Sequence, residues 1–352
     1  MTALGGGHVT ELPAVWGAAV LVLLVTVAGT AGYVRLARAW QLVDRPNSRS
    51  SHQLPTPTGG GVAIVAGVAV GAWVLAGHDQ ASGLLLGSGL RAWAAAAVVL
   101  LLLWIDDVVR PLGVAEKSLL LLTATGLWLG LGPHLEQLDV PGLGRVELGA
   151  WGGPLTAFWL LAVSNAFNFI DGIDGITCTG TLSAAALIAL SLAHLGLPWH
   201  EVVLVGAAAA GFLVYNRPPA RIFMGDVGST FLGFTLAGVG VLAARQGLPI
   251  ALVALYLGYH AFDTSYTLAR RAVRGENVTL AHRKHLYQRL CRLGWPPGCV
   301  DLLVLAVNLL LGAGGYLVAI VGTPWGWPLV AVGLLVLAAE VIWVEQRDPD
   351  FV

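Results

Sequence analysis

Apolar runs recur along the whole chain, and their length is what most restricts the fold. Hydrophobic residues make up 57% of the sequence and charged residues only 11%, which is too little charge for the surface of a soluble domain. A helix of about 20 apolar residues crosses the ~30 Å hydrocarbon layer of a membrane. We identify eleven candidate runs, at residues 14–34, 59–77, 91–105, 117–132, 153–170, 178–196, 201–215, 227–244, 248–269, 300–321 and 327–344. The sequence therefore predicts an all-α, polytopic integral membrane protein of about eleven transmembrane helices, with residues 1–352 as a single membrane-embedded domain.

The positions of the basic residues predict the orientation of these helices. With the N-terminus outside, 16 of the 19 Lys and Arg residues fall in cytoplasmic segments, and only Arg91, Arg145 and Arg245 lie outside. The positive-inside rule therefore predicts an outside N-terminus and a cytoplasmic C-terminus. The first apolar run lacks a convincing cleavage site after it, so we expect a retained helix. The predicted cytoplasmic loops are 35–58, 106–116, 170–177, 216–226 and 270–299.

Four polar clusters interrupt the apolar runs, and this orientation places all of them on the cytoplasmic side. They are Asp106-Asp107, residues 165–174 (NAFNFIDGID), residues 216–229 (NRPPARIFMGDVGS) and residues 282–285 (HRKH). Ionisable groups at a membrane are costly to keep and are usually functional. We therefore expect the clusters to meet at one active-site face that handles a metal ion or a phosphate. A net charge of −1 argues against a nucleic-acid partner.

The acidic pair follows the third apolar run directly. Adjacent residues of a helix point in different directions, so one carboxylate can face a cavity while the other caps the helix or meets a cation such as Lys117. An acidic pair that merely ends a helix is the competing interpretation. The presence of two further acidic clusters on the same face favours a functional role.

The second cluster spaces its oxygen-bearing side chains three residues apart. Asn165, Asn168, Asp171 and Asp174 can therefore share a broad helical face before the Gly residues that follow loosen the helix. Such groups suit Mg²⁺, which prefers oxygen ligands, and they also suit hydrogen bonding to a nucleotide base. Capping and turn formation by Asn and Asp is the alternative.

The third cluster opens with paired prolines, which cannot continue a helix, and leads into the eighth apolar run. The start of that helix offers free N–H groups to a phosphate, and Gly225 and Gly228 allow a close backbone approach. Asp226 at this position can hold a metal against the phosphate. It can also act as a simple N-cap, and the two roles are compatible.

Basic and imidazole groups complete the candidate site. His282, Arg283 and His285 suit an anionic ligand better than zinc, because no other ligands stand at zinc-binding spacing. In the first loop, Arg49 and His52 are candidates for ligand contact, with control of topology as an equal alternative. His260 and Asp263, three residues apart in the ninth run, are either functional or a pair that bonds helices together.

The order of several long motifs resembles one family, the polyprenyl-phosphate N-acetylhexosamine-1-phosphate transferases. The resemblance extends from about residue 44 to 290. It is carried, in order, by DRPNSRSSHQLPTPTGGG, IDDVVRPLGVAEKSLLL, NAFNFIDGIDGI, GFLVYNRPPARIFMGDVGSTFLGF and HRKHLYQRL. It implies a Mg²⁺-dependent transfer, with Mn²⁺ as a substitute, of a sugar-1-phosphate from a UDP-sugar to undecaprenyl phosphate with release of UMP. The HRKHLYQRL form resembles the branch that initiates O-antigen or enterobacterial common antigen more than the peptidoglycan branch.

Residue roles follow from the resemblance position by position. Asp106, Asp107 and Asp226 are the implied catalytic residues, and Asp226, Asp171 and Asn168 are the implied metal ligands. Substrate binding is expected from the following residues: Lys117, Asn165, Asn168, Asp174, Arg49, His52, His282, Arg283 and His285. Tyr287 and Gln288 stand where relatives carry further histidines, which leaves open how many of the loop histidines act directly.

The resulting hypothesis is an enzyme of the bacterial inner membrane with its active site facing the cytoplasm. Positioning and electrostatics provide most of the catalysis in such a phosphoryl transfer. A covalent route through Asp226 is less attractive, because a metal-bound carboxylate is a poorer nucleophile. A secondary transporter of an anionic metabolite is the alternative function, although no internal repeat supports it. A homodimer is compatible with the sequence, and the identity of the sugar stays open.

Overall fold

The computed structural model describes residues 12–44, 54–77, 88–140, 144–280 and 282–348. Two short antiparallel hairpins pair β1 (Val43–Asp44) with β2 (Thr56–Pro57) and β3 (Gln137–Val140) with β4 (Gly144–Glu147). The helices, in chain order, are α1 (Leu12–Ala39), α2 (Val62–Ala76), α3 (Leu90–Leu101), α4 (Trp104–Val108), α5 (Val114–Leu131), α6 (Gly152–Ile170), α7 (Ile176–His194), α8 (His200–Asn216), α9 (Gly225–Arg245), α10 (Ile250–Tyr256), α11 (Gly258–Val273), α12 (Leu286–Arg292), α13 (Pro297–Ala319) and α14 (Gly326–Arg347).

The prediction of a polytopic helical membrane protein is confirmed. Among the described residues, seven helices are long and apolar enough to cross a membrane, namely α1, α5, α6, α7, α9, α13 and α14. The apolar helices α2 and α8 are shorter. Each predicted apolar run corresponds to helical residues, whereas the total of eleven spans and the orientation stay predictions.

Two of the predicted runs are interrupted rather than continuous. The run at 91–105 ends as α3 at Leu101 and resumes as the short α4, after a turn in which Leu103 donates its N–H to the carbonyl of Leu100. The run at 248–269 is divided into α10 and α11, and the backbone N–H of Tyr259 donates instead to the Asn308 side chain at 2.9 Å. A side-chain acceptor on α13 therefore satisfies the polar group that the break exposes.

Helix α9 is the central element of the bundle. Every residue from Val227 to Ala244 is buried. Its small side chains allow close packing, since a Cβ added at Gly233 would lie 2.9 Å from the Ser164 Cα of α6. The first turn of this enclosed helix carries Asp226, so the bundle fixes the position of that carboxylate.

The glycine-rich end of the first loop packs against the segment that precedes α9. Gly60 and Gly61 donate their N–H groups to the carbonyls of Phe223 and Met224 at 3.1 and 2.8 Å. A Cβ added at Gly61 would lie 2.3 Å from the Cα of Gly228, so no larger residue fits there without a shift. This contact brings the start of α2 to the same end of the bundle as Asp226.

Candidate active site

A cavity of about 480 Å³ lies where the four polar clusters meet. Its lining includes members of each cluster: Asp107, Asn168, Asp171, Asn216, Asp226 and Arg283. Convergence of the clusters, expected from the sequence, is therefore present in the structure. Arg49 and His52, the candidates from the first loop, lie outside the described residues.

Three carboxylates form the acidic end of this site. One oxygen from each of Asp106, Asp107 and Asp226 lies within 4.8 Å of the others. Asp107 also accepts hydrogen bonds from the backbone N–H groups of Asp226 and Val227 at 3.1 and 3.4 Å. The acidic residue of α4 therefore caps the N-terminus of α9, where the helix dipole favours negative charge.

Lys117 bridges two of these carboxylates from α5. Its Nζ lies 2.6 Å from Asp106 Oδ2 and 2.7 Å from Asp226 Oδ2. Asp106 also accepts a hydrogen bond from the backbone N–H of Leu112 at 2.5 Å. Asp107 therefore lines the cavity, while Asp106 lies against the Lys117 ammonium.

The carboxyl groups are crowded enough to perturb one another. Burial raises the pKa of Asp107 to about 8, and the negative charge of Asp226 adds to the rise. Burial likewise raises the pKa of Asp171 to about 7, again with a contribution from Asp226. A divalent cation would favour the ionised forms, and a set of oxygen donors at this separation fits Mg²⁺.

The end of α6 supplies the amide and carboxylate side of the cavity. Asn168 Nδ2 donates to Ser229 Oγ of α9 at 3.2 Å, and Asp171 follows at the helix C-terminus. Asn165 instead donates to the carbonyl of Leu161 in its own helix at 2.8 Å and is not part of the cavity lining. Of the predicted metal ligands, Asn168 and Asp171 thus share the cavity with Asp226, and Asp171 lies outside the three-carboxylate cluster.

Hydrogen bonds join the loop after α6 to the end of α8 and to the segment that follows it. Asp174 accepts the N–H of Ala220 at 2.8 Å and does not line the cavity. Asn216 accepts the N–H of Gly175 at 3.0 Å and donates to the carbonyl of Ile222 at 2.9 Å. The side chain of Asn216 therefore joins the second and third clusters.

The histidine loop is anchored by Asp263 of α11. The buried Asp263 carboxylate accepts from His285 Nδ1 at 3.1 Å and from the N–H groups of Leu286 and Tyr287 at 2.9 and 3.1 Å. Of the two interpretations of His260 and Asp263, the pair that bonds helices together is not observed, because Asp263 pairs with His285 instead. Both ring nitrogens of His260 are buried without a hydrogen-bond partner in the described part of the chain.

The two loop histidines stack on each other behind the cavity wall. The ring centroids of His282 and His285 are 5.0 Å apart. Burial lowers the pKa of His282 to about 4, and the charge of His285 contributes to the decrease. The cavity lining includes Arg283 but neither histidine. In this structure Arg283 is the member of the HRKH cluster that reaches the cavity.

Several lining residues were absent from the sequence-derived candidates. They are Asp44, Thr58, Asn216, Gln288, Cys291 and Arg292. The cluster at 216–229 begins at Asn216, and its position at the end of α8 could have singled it out. The last three share one face of α12, a spacing that is readable in the sequence once a helix after His285 is assumed.

Comparison with known proteins identifies the family of the chain. The family model for glycosyl transferase family 4 matches residues 90–244, which run from α3 to α9 and include the three carboxylates. A probable undecaprenyl-phosphate N-acetylglucosaminyl 1-phosphate transferase of Bacillus subtilis is 32% identical, over 74% of this chain and 72% of the relative. The chain belongs to glycosyl transferase family 4. It is therefore an enzyme that transfers a phospho-sugar.

Other relatives of this family 4 transferase come from two branches. A phospho-N-acetylmuramoyl-pentapeptide-transferase of Moorella thermoacetica is 33% identical, over 86% of this chain and 97% of the relative. A decaprenyl-phosphate N-acetylglucosaminephosphotransferase of Mycobacterium tuberculosis is 28% identical, over 93% of this chain and 88% of the relative. These similarities identify the family and do not distinguish between its branches.

Proposed function

We propose that this family 4 enzyme transfers an N-acetylhexosamine-1-phosphate from a UDP-sugar to undecaprenyl phosphate and releases UMP. The three-carboxylate cluster beside Lys117, at one end of the cavity, is the observation that carries the proposal. The names of the relatives from Bacillus subtilis and Mycobacterium tuberculosis, which mention polyprenyl phosphates and N-acetylglucosamine, support it. We place the reaction at the cytoplasmic face of the bacterial inner membrane, where it begins synthesis of a cell-surface polysaccharide.

Asp226, Asp171 and Asn168, which line the same cavity, are the residues that would hold Mg²⁺, with Asp106 and Asp107 beside Asp226. When bound there, Mg²⁺ or Mn²⁺ supplies positive charge that neutralises the diphosphate of the donor and the departing UMP. Side chains of the protein supply the other contacts to the phosphates. The Lys117 ammonium lies between two carboxylates and can donate a hydrogen bond to a phosphate oxygen.

The chemical step forms one P–O bond and breaks another. An oxygen of the lipid phosphate attacks the β-phosphorus of the UDP-sugar, and the bond to the bridging oxygen breaks, so that its electron pair leaves with UMP. The second ionisation of a phosphate monoester lies near neutrality, so a nearby carboxylate can take the last proton from the nucleophile. Asp107, which lines the cavity, is suited to that role, while the Lys117 ammonium, held by Asp226, can orient a phosphate oxygen.

The test is release of UMP by the purified protein. UDP-GlcNAc, undecaprenyl phosphate and Mg²⁺ should give UMP, EDTA should abolish its release, and Mg²⁺ or Mn²⁺ should restore it. Asp226→Ala should reduce turnover at least a hundredfold while thermal unfolding stays cooperative. Gly126→Ala is the matched control, since a Cβ at Gly126 on α5 would meet no atom within 4 Å. Full turnover by Asp226→Ala would remove this carboxylate from the reaction.

A panel of donors tests the branch of the family. We favour an initiator of O-antigen or a related polysaccharide, on the strength of the HRKHLYQRL motif, over a peptidoglycan enzyme. Turnover of UDP-GlcNAc or a 6-deoxy relative, without turnover of UDP-N-acetylmuramoyl-pentapeptide, is the expected pattern. The reverse pattern would assign the chain to the peptidoglycan branch. Because UMP release in detergent needs no membrane compartments, it also separates the enzyme from the alternative transporter.

A further inference from the structure

Helix α12 has two different faces. Its side chains at Leu286, Tyr287, Arg289 and Leu290 are buried against the protein. The side chains that line the cavity are Gln288, Cys291 and Arg292. Residues three and four apart lie on the same side of a helix, so these three form one continuous strip of cavity wall.

Arg292 is held in this strip by two contacts from other segments. Its Nη1 donates to the carbonyl of Arg283 at 2.6 Å, and its Nη2 pairs with Asp348 Oδ2 at 2.5 Å. Asp348 follows the end of α14 and also pairs with Arg289 Nε at 3.2 Å. The guanidinium position therefore depends on a residue that is distant in sequence and does not line the cavity.

The lining of the cavity contains more acidic than basic side chains, so binding of an anionic donor depends on the guanidinium groups there. Carboxylates line it from four positions, namely Asp44, Asp107, Asp171 and Asp226. A donor with two phosphates is itself negatively charged and would be repelled by such a wall. Arg283 and Arg292 are the Lys or Arg residues among the described lining. A planar guanidinium matches the oxygen spacing of a phosphate and stays charged at physiological pH.

We propose that Arg292 binds the diphosphate of the nucleotide-sugar donor and that Asp348 is the positioning residue for Arg292. The inference rests on the proposed function, since it names a further contact for the same substrate. Arg292 lies outside the segment matched by the family model, so the assignment comes from the structure of this chain. It predicts that binding of nucleotides depends on Arg292 only when they carry phosphate.

The decisive measurement compares ligands with and without phosphate. Arg292→Gln should raise the KM for UDP-GlcNAc about tenfold or more, as expected for loss of a charge-assisted hydrogen bond, and Arg292→Lys should raise it less. Inhibition by UDP should weaken in parallel, whereas any inhibition by uridine, which carries no phosphate, should stay unchanged. Cys299→Ser, an exposed position at the start of α13, is the control and should match the unsubstituted enzyme.

The positioning role of Asp348 is tested by measuring KM and kcat separately. Asp348→Asn should raise the KM for UDP-GlcNAc severalfold with little change in kcat, and Asp348→Glu should recover most of the loss. Thermal unfolding of each variant separates these effects from misfolding. A change of less than twofold in Arg292→Gln, or an equal loss of UDP and uridine binding, would overturn the inference.

The proposed function and the role of Arg292 can fail separately, and the measurements distinguish the two cases. If the unsubstituted enzyme released no UMP from any UDP-sugar, the proposed function would fall, and equilibrium binding of radiolabelled UDP would still test Arg292. Weaker UDP binding in Arg292→Gln would then support a phosphate site for another nucleotide-linked substrate. UDP binding unchanged by the substitution would reject it.

Discussion

Asp107 accepts a hydrogen bond from the backbone N–H of Asp226 at 3.1 Å, so one catalytic candidate caps the helix that carries another. The two carboxylates are therefore not placed independently. A change that moves the start of α9 moves the cap, and a change at the cap alters the electrostatic potential at Asp226.

Gly225 shows how little space this arrangement leaves. Its φ is +74°, a conformation that favours glycine, and an added Cβ would lie 2.4 Å from both carboxylate oxygens of Asp107. We expect Gly225→Ala to cost about 1–3 kcal/mol through backbone strain and to reduce UMP release at least tenfold. The measurement is UMP release together with thermal unfolding, with Gly126→Ala as control. Normal activity in Gly225→Ala would show that Asp107 can move without consequence.

Lys117 pairs with two of the three clustered carboxylates and offsets part of their negative charge. We expect Lys117→Met to lower the stability of the protein in EDTA by about 1–2 kcal/mol, a moderate figure because the lysine is partly exposed. Added Mg²⁺ should stabilise this variant more than it stabilises the unsubstituted protein, since the cation replaces the missing charge. Differential scanning fluorimetry with and without Mg²⁺ measures both, and Lys117→Arg should behave like the unsubstituted protein in EDTA. An equal effect of Mg²⁺ on Lys117→Met and the unsubstituted protein would contradict this explanation.

Substitutions of Asp263 and His260 should have opposite effects on the stability of the protein, although both residues lie on α11. Asp263→Ala leaves the buried N–H groups of Leu286 and Tyr287 without their acceptor, at about 1–3 kcal/mol for each orphaned group. His260→Phe removes two buried ring nitrogens that lack partners in the described chain and keeps the ring stacked on Phe167. We expect the first variant to unfold at a lower temperature and to expose the segment at 282–285 to protease, and the second to be neutral or stabilising. Marked destabilisation by His260→Phe would indicate an unseen partner for the imidazole.

Gly172 and Tyr287 are suited to a double-mutant cycle. The Tyr287 hydroxyl donates to the carbonyl of Phe169 at 3.0 Å, and a Cβ at Gly172 would lie 2.1 Å from the hydroxyl oxygen. Gly172→Ala alone should strongly reduce activity, and Tyr287→Phe alone should reduce it modestly. In the double variant the clash is partly relieved, so activity should exceed the value expected from adding the two losses. Strict additivity would mean that these groups do not interact.

The sequence predicted the class of fold and the meeting of the polar clusters because both follow from strong local signals. Apolar length identifies helices that cross a membrane, and the cost of ionisable groups there restricts where Asp106, Asp107 and Asp226 can lie. The same signals could not reveal the break between α10 and α11. That break depends on Asn308, a residue of α13 that accepts the N–H of Tyr259 across the bundle.

Contacts between distant segments also explain the differences within the site. A pair between Asp263 and His260, three residues apart in one apolar run, was one of two interpretations of the sequence, but the bundle brings His285 to Asp263 instead. Arg292 was not singled out because a lone arginine in a basic loop is ordinary in sequence. Its significance comes from Asp348 and from the cavity, and neither is visible in a local pattern.

The hydrogen bond between Asp107 and the start of α9 joins positions 119 residues apart, with α5 to α8 between them. While the chain is being made, the three-carboxylate cluster cannot exist until those four helices have been inserted and α9 has entered among them. Affinity for a divalent cation at this cluster would therefore report on completed membrane assembly. A nascent protein arrested before Asp226 would hold the acidic pair on α4 with no partner to complete it.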